Sequence, residues 1–380
     1  GQTMTTDGAY LSPELSFDGK QILFGYTDTT LQPRHSYKWN EDNTWHIFRV
    51  DIDGTNLVQM TDGPWNDFDP CFLPSGRIAF ISERRGGYGR CHGRPVPSFT
   101  LHSMNADGSD IVTMSPHETN EWQPSVDHNG MIVYTRWDYV DRSGQPYMSL
   151  WSTMPDGTQS RLVFGNHARK PLSTFEPASI PGSQKIVFTA AGHHSVTGGS
   201  LVLLDPTKGS DGQSPLTRLT PEVSFPEIEG WPDTFYANPH PLSEDYYLVA
   251  WSNRSLAHAV GPSNGLGIYL FDAFGNLTLI HRDAEISSMY PLPIRPRRRP
   301  EQIASQVDWD GEQEGRMLLV DVYRGLPTIS PGTIRRLRLV GIPPKTHPVM
   351  NNPPIGMTHD DPGKFVLGTV PVEADGSAYF

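Results

Sequence analysis

Three stretches decide the fold: SPELSFDGKQILF (12–24), DPCFLPSGRIAF (69–80) and QPSVDHNGMIVY (123–134). Each starts at a proline, passes through a polar, glycine-containing turn and resumes as an apolar run, which is how two antiparallel strands joined by a short turn read. The pattern recurs in EPASIPGSQKIVF (176–188), in NPHPLSEDYYLVAW (238–251) and, degenerately, in YPLPIRPRRRP (290–300). The leading prolines Pro13, Pro70, Pro124, Pro177, Pro239 and Pro291 stand 57, 54, 53, 62 and 52 residues apart. That period fits propeller blades with enlarged loops.

Each unit has a second half. HIFRVDIDGTNLVQMT (46–61), TLHSMNADGSDIVTMS (100–115) and SLWSTMPDGTQSRLVF (149–164) each run a strand into a tight turn and out again. Asp53-Gly54, Asp107-Gly108 and Asp156-Gly157 are expected to supply the positive φ angles of two-residue hairpins. SLVLLDPTKG (200–209) and GIYLFDAFGNLTLI (267–280) repeat the theme with other turns, and MLLVDVYRGLPTISPGTIRRLRLV (317–340) closes a sixth unit. Two hairpins make four strands, and one four-stranded sheet cannot bury both faces alone, so the units must pack radially. The expected fold is all-β: a six-bladed β-propeller of four-stranded antiparallel blades over residues 1–342. A Pro/Asn/Gly-rich linker over 343–363 and the start of a following β domain over 364–380 form a partial C-terminal β extension.

Composition agrees. Gly and Pro number 36 and 35 among 380 residues, a load that suits short strands and turns rather than long helices. No apolar run reaches the ~18 residues a spanning helix needs. A net charge of -12 argues against a nucleic-acid partner. The one basic cluster, Arg295, Arg297, Arg298 and Arg299, is broken by prolines and reads as a structural or anion-facing loop. Two cysteines, Cys71 and Cys91, are too few for a disulfide framework. The chain opens at Gly1 without a signal-like segment, as expected of a processed or trimmed product.

FDGKQILF and DIDGTNLVQMT resemble the TolB-type propeller repeat, common in exported bacterial proteins. GRCHGRPVPSFTLHSM (89–104), AAGHHSVTGGSLVLLDP (190–206), YPLPIRPRRRP, LLVDVYRG (318–325) and LGTVPVEADGSAYF (367–380), taken in order, resemble the middle propeller domain of proteins related to the hydrazine synthase alpha subunit. The resemblance implies a periplasmic or extracellular bacterial protein whose propeller sits between domains carrying c-type haem. No Cys-x-x-Cys-His motif occurs in this sequence, so haem c is expected only on a neighbouring domain or chain.

Four residues are candidate metal ligands, for zinc or another divalent ion: Cys91, His92, His193 and His194. Cys91-His92 lies in an Arg- and Gly-rich insertion, where neighbouring cations depress a thiol pKa; the alternative is a packed thiol and a loop-capping imidazole. His193-His194 follows the strand KIVFTAAG, and adjacent residues share one ion only if the backbone bends, so hydrogen bonding between blades is the competing reading. Cys71, inside DPCFLP, reads as core. Trp39, Trp45 and Trp231 lie in loops where an aromatic ring can stack on a sugar or a partner. No nucleophile elbow, His-Glu-x-x-His pair or phosphate loop occurs, so no catalytic residue is assigned.

The function expected is a non-catalytic binding and scaffold domain whose partner is a neighbouring domain or subunit, such as a c-type cytochrome. A stand-alone propeller binding a protein or glycan, and a propeller hydrolase or lyase, are the alternatives.

Overall fold

The computed structural model describes residues 8–28, 44–90, 95–139, 147–256, 265–308, 310–312, 314–349, 352–357, 359 and 361–380. Twenty strands make five successive units. The first holds β1 (Ala9–Leu15), β2 (Gln21–Thr27), β3 (His46–Asp51) and β4 (Val58–Gln59). The second holds β5 (Asp67–Phe72), β6 (Ile78–Ser82), β7 (Thr100–Met104) and β8 (Val112–Thr113). The third holds β9 (Glu121–Val126), β10 (Ile132–Trp137), β11 (Met148–Thr153) and β12 (Arg161–Phe164). The fourth is β13 (Phe175–Ser179), β14 (Ile186–Ala191), β15 (Gly199–Leu204) and β16 (Leu216–Arg218), and the fifth β17 (Phe235–Pro241), β18 (Tyr246–Ser252), β19 (Gly267–Asp272) and β20 (Leu277–His281). Within each unit neighbouring strands pair antiparallel in chain order. The first strands contact one another in succession, β1 to β5 to β9 to β13 to β17, so they line the axis.

The core lies between blades, and strand alternation explains it. On β6, Ile78 and Phe80 join Leu23, Ile47 and Met60 of the first blade. The intervening Ala79 and Ile81 join Ile132 and Tyr134 of the third. The third blade repeats this, with Val133 and Leu150 against Ile186, Phe188 and Val202 of the fourth. A strand buried on both faces loses the polar alternation of an exposed sheet, and all five residues of β6 are buried. Each large apolar side chain so enclosed contributes roughly 1.5–3 kcal/mol.

The Asp-Gly turns differ from expectation. Only the glycines, Gly54, Gly108 and Gly157, take positive φ (84°, 88° and 83°), and the aspartates before them do not. Asp51 N–H donates to Thr55 O (2.9 Å) and Gly54 N–H to Asp51 O (2.8 Å), which makes a three-residue loop with glycine at its left-handed position. The aspartate instead caps the turn: Asp53 Oδ1 accepts from the backbone N–H (2.9 Å) and hydroxyl (2.7 Å) of Thr55.

Around the sixth position, Tyr290–Leu292 enters the axis as the other first strands do, but belongs to no sheet among the described residues. The chain then crosses the short-turn face of the first three blades. Arg297 N–H donates to Phe17 O (2.8 Å), the Arg299 guanidinium to Pro74 O, and Gln306 N–H to Asp156 Oδ2 (2.7 Å). Beyond it, β21 (Leu318–Leu319) pairs with β24 (Ala378–Tyr379), and β22 (Arg336–Gly341) with β23 (Phe365–Pro371). Among the described residues no helix is long and apolar enough to cross a membrane.

Candidate functional site

Antiparallel order places every connection between second and third strands at one end of the blades and the short turns at the other. The connections 28–45, 83–99, 138–147, 192–198 and 253–266 all leave and rejoin the strands at the first end, the loop face. Of the sequence candidates, Cys91 and His92 lie outside the described residues. His193 and His194 sit in the connection after β14. Their rings meet edge to face at 4.3 Å, and His193 packs edge to face on Trp137 at 5.4 Å.

Glu227 holds this pair. Its carboxylate accepts from His194 Nδ1 (2.7 Å), from His194 N–H (3.1 Å) and from His193 N–H. Burial raises the Glu227 pKa, but the contacts with His194 and the two backbone donors outweigh it and keep the group below its usual range. The two imidazoles are thus brought together with one carboxylate. No group of three or more His, Cys, Asp or Glu side chains is arranged to hold a metal ion among the described residues.

Nearer the axis, buried acids tie the loop face to the strands. Asp67 has no side-chain exposure, accepts from Ser82 Oγ (2.6 Å) and pairs with Arg84 (2.8 Å). Burial raises its pKa, yet His46, Arg84 and Ser82 together hold it below the usual carboxylate range. Glu121 caps Leu101 N–H (2.9 Å) and Ser115 Oγ (2.8 Å). Glu118, beside a cavity of about 860 Å³ that also meets Val340 and Ile342 of the C-terminal strands, is pushed up to about 7 by burial.

The axis itself carries an arrangement that proline spacing alone did not reveal. The residue before every leading proline is left-handed: Ser12 (φ 49°), Asp69 (50°), Gln123 (52°), Glu176 (56°), Asn238 (48°) and Tyr290 (52°). Non-glycine residues avoid this region at a cost of about 1–2 kcal/mol each, and a following proline ordinarily pushes them to extended backbone. In the five that lie on strands, the pairing register shifts at this point.

What compensates is a hydrogen-bonded ring. Asp69 Oδ2 accepts Gln123 N–H (2.9 Å), Gln123 Oε1 accepts Glu176 N–H (2.7 Å), and Glu176 Oε2 accepts Asn238 N–H (2.6 Å). Asn238 Oδ1 accepts Tyr290 N–H (3.4 Å), the Tyr290 phenol shares a hydrogen bond with Ser12, and Ser12 Oγ donates to Asp69. The side chains of Asp69, Gln123, Glu176 and Asn238 therefore cap the backbone of the next blade, and Tyr290 and Ser12 complete the circuit through side chains. Burial raises the pKa of Asp69, and raises that of Glu176 to about 7, against the pull of Asn238 and Thr189. The six X-Pro pairs line an axial cavity of about 160 Å³. A side chain closed on itself from blade to blade around one axis requires a ring of blades. The chain is a β-propeller.

No protein-family profile matches this propeller, and no curated protein matches it in sequence. Among solved structures, Kuenenia stuttgartiensis hydrazine synthase aligns with a TM-score of 0.74 at 17% identity, covering 99% of the propeller chain and 58% of that protein. The chain thus spans less than two thirds of that relative's length, and at this identity the likeness is one of fold. A putative TolB from Agrobacterium tumefaciens aligns at a TM-score of 0.37 and 15% identity over 56% of this chain and 81% of that one. An oligogalacturonate lyase from Vibrio parahaemolyticus aligns at 0.42 and 14% over 71% and 67%.

Proposed function

We propose that this propeller is a non-catalytic platform within an exported, haem-associated multidomain protein of the hydrazine synthase alpha type, and that it holds a neighbouring domain or subunit on its loop face. The observation that supports this reading is that the four longest connections between second and third strands, 28–45, 83–99, 138–147 and 253–266, all join the blades at one end, while every connection at the other end except 205–215 is a turn of four to seven residues. Loops mounted on a rigid scaffold are where recognition concentrates. The ordered sequence resemblance and the extended likeness of fold to hydrazine synthase add to it. Exposed apolar side chains on β23, Val366 at 56% and Leu367 at 63% exposure, suit a surface covered by further protein. Periplasmic or extracellular location belongs to the same proposal.

Cross-linking mass spectrometry on the protein purified from its native source tests it. Lys345, whose carbonyl accepts from Tyr88 in the loop after β6, stands at the loop face, whereas Lys20 and Lys185 stand at the short turns. The expected result is a haem-bearing polypeptide or domain linked to Lys345. Links to haem-bearing sequence only from Lys20 and Lys185, or native protein with no haem-bearing partner, would overturn the proposal.

A further inference from the structure

The short-turn face, which the platform role leaves unused, carries a cavity that bears concentrated charge. It holds about 510 Å³ around the axis below the proline ring, with Arg295, Arg297 and Arg298 on its wall. A chain of net charge -12 has here gathered three of its arginines at one concavity. The three are not equivalent. Arg297 is structural: it pairs with Glu14, donates to Leu15 O (2.9 Å) and stacks over the Phe17 ring at 4.5 Å. Arg295 and Arg298 make no side-chain hydrogen bond or ion pair with the described residues, so both guanidinium forks remain available.

The carboxylates on the same wall do not cancel them. Glu14 is taken by Arg297, and Asp127 Oδ1 accepts from the N–H groups of Asn129 (2.8 Å) and Met131 (2.9 Å) in its own turn. Ser179 Oγ, on the wall, is buried without a hydrogen-bond partner. His240, which lines both this cavity and the ring, has its pKa lowered to about 4 by burial, then by Arg297 and Arg295, so it adds no positive charge of its own at neutral pH. Ser125, His128, Ser183 and Gln184 add polar groups, and much of the remaining wall is apolar, with Val126, Ile180, Leu292 and Pro293 among its residues. Inorganic sulfate or phosphate gains nothing from such a wall, whereas a carbon skeleton does.

We infer that this axial funnel binds a small organic anion bearing at least two carboxylates, with Arg295 and Arg298 as the recognition forks. Guanidinium forks match carboxylates in bidentate geometry, and concave sites with a few convergent polar groups on apolar walls are how such ligands are held. The strap that carries the arginines is fixed by Arg297 and Arg299, so the forks are presented without the need to order a loop.

Isothermal titration with citrate as the probe, against sodium sulfate at matched ionic strength, tests this on the full 380-residue chain. The expected result is saturable one-to-one citrate binding that weakens by about tenfold or more in Arg295→Ala/Arg298→Ala. Because neither side chain supports the fold, the variant should keep its circular dichroism and melting temperature. Arg298→Lys, which keeps charge and removes the fork, should lose an intermediate amount. Absence of saturable citrate binding, sulfate binding as tightly as citrate, or unchanged affinity in the folded double variant would each overturn the inference.

Discussion

Glu176 makes the stability of the axial ring depend on pH in the direction opposite to most carboxylates. In the folded chain its carboxyl keeps a proton up to about pH 7 because burial penalises the charge, while its ordinary value is 4.5. Between those two values the folded state holds more protons than the unfolded one, so the contribution to stability is greatest below 4.5 and declines as pH rises through 7. A shift from 4.5 to about 7, at about 1.4 kcal/mol per pH unit, corresponds to about 3 kcal/mol at most. With an unfolding entropy of about 2.1 cal/mol/K per residue over 380 residues, this is a loss of about 4 °C in melting temperature. The protonated group can donate to Thr189 Oγ1, 2.8 Å away, and still accept from Asn238 N–H. Other groups titrate in this range, and His240 has the reverse sign. The informative quantity is therefore the difference in melting temperature between wild type and Glu176→Gln, followed by differential scanning calorimetry from pH 4.5 to 8. Wild type should lose ground to the variant as pH rises. A difference that stays flat, or wild type gaining on the variant, would mean that the three donors hold the carboxylate ionised, and the burial argument would be refuted.

Asp67→Ala leaves Arg84 and Ser82 facing a vacated buried position and should cost about 3–5 kcal/mol in urea unfolding; a loss under about 1 kcal/mol would deny that the pair is needed. Gly108 and Gly54 share a left-handed turn geometry, but a Cβ on Gly108 would stand 2.5 Å from Met60 O of the first blade, whereas one on Gly54 meets nothing within 4 Å. Thermal denaturation should therefore rank Gly108→Ala below Gly54→Ala by about 1 kcal/mol or more, both below wild type. Cys71 is 2% exposed and its thiol pKa is raised by burial, so in a Cys91→Ser background a thiol reagent should label the protein only on unfolding. Labelling of the native variant would place Cys71 outside the core.

The fold was legible because blade formation is local. A leading proline, a turn and two apolar strands recur within each unit, and the alternation of Ile78-Ala79-Phe80-Ile81 already demanded neighbours on both sides. Turn chemistry was half legible: Asp-Gly marked the turn in the first three blades, but the hydrogen bond from Thr55 to the Asp53 carboxylate selects the longer loop. The axial ring was not read, although its signal was present in the polar residue preceding most of the prolines. Ser12, Asp69, Gln123, Glu176, Asn238 and Tyr290 differ in type, so they do not look like one motif, yet four of them cap a backbone in the next unit and Tyr290 and Ser12 join the ends through side chains. Likewise, Arg297 and Arg298 are indistinguishable in sequence, and only the placement of Glu14 and Phe17 separates a strut from an open fork.

The ring has a further consequence for how such a chain fails. In an open solenoid, loss of one repeat shortens the array and leaves the others intact, since each unit leans only on its neighbours. Here every joint along the axis is held by the residue before it, and the last returns to the first through Tyr290 and Ser12. Damage at any joint converts a hoop into a strip with two loose ends, so the blades should melt together, and no single blade can be exchanged or deleted without re-cutting its two neighbours to fit.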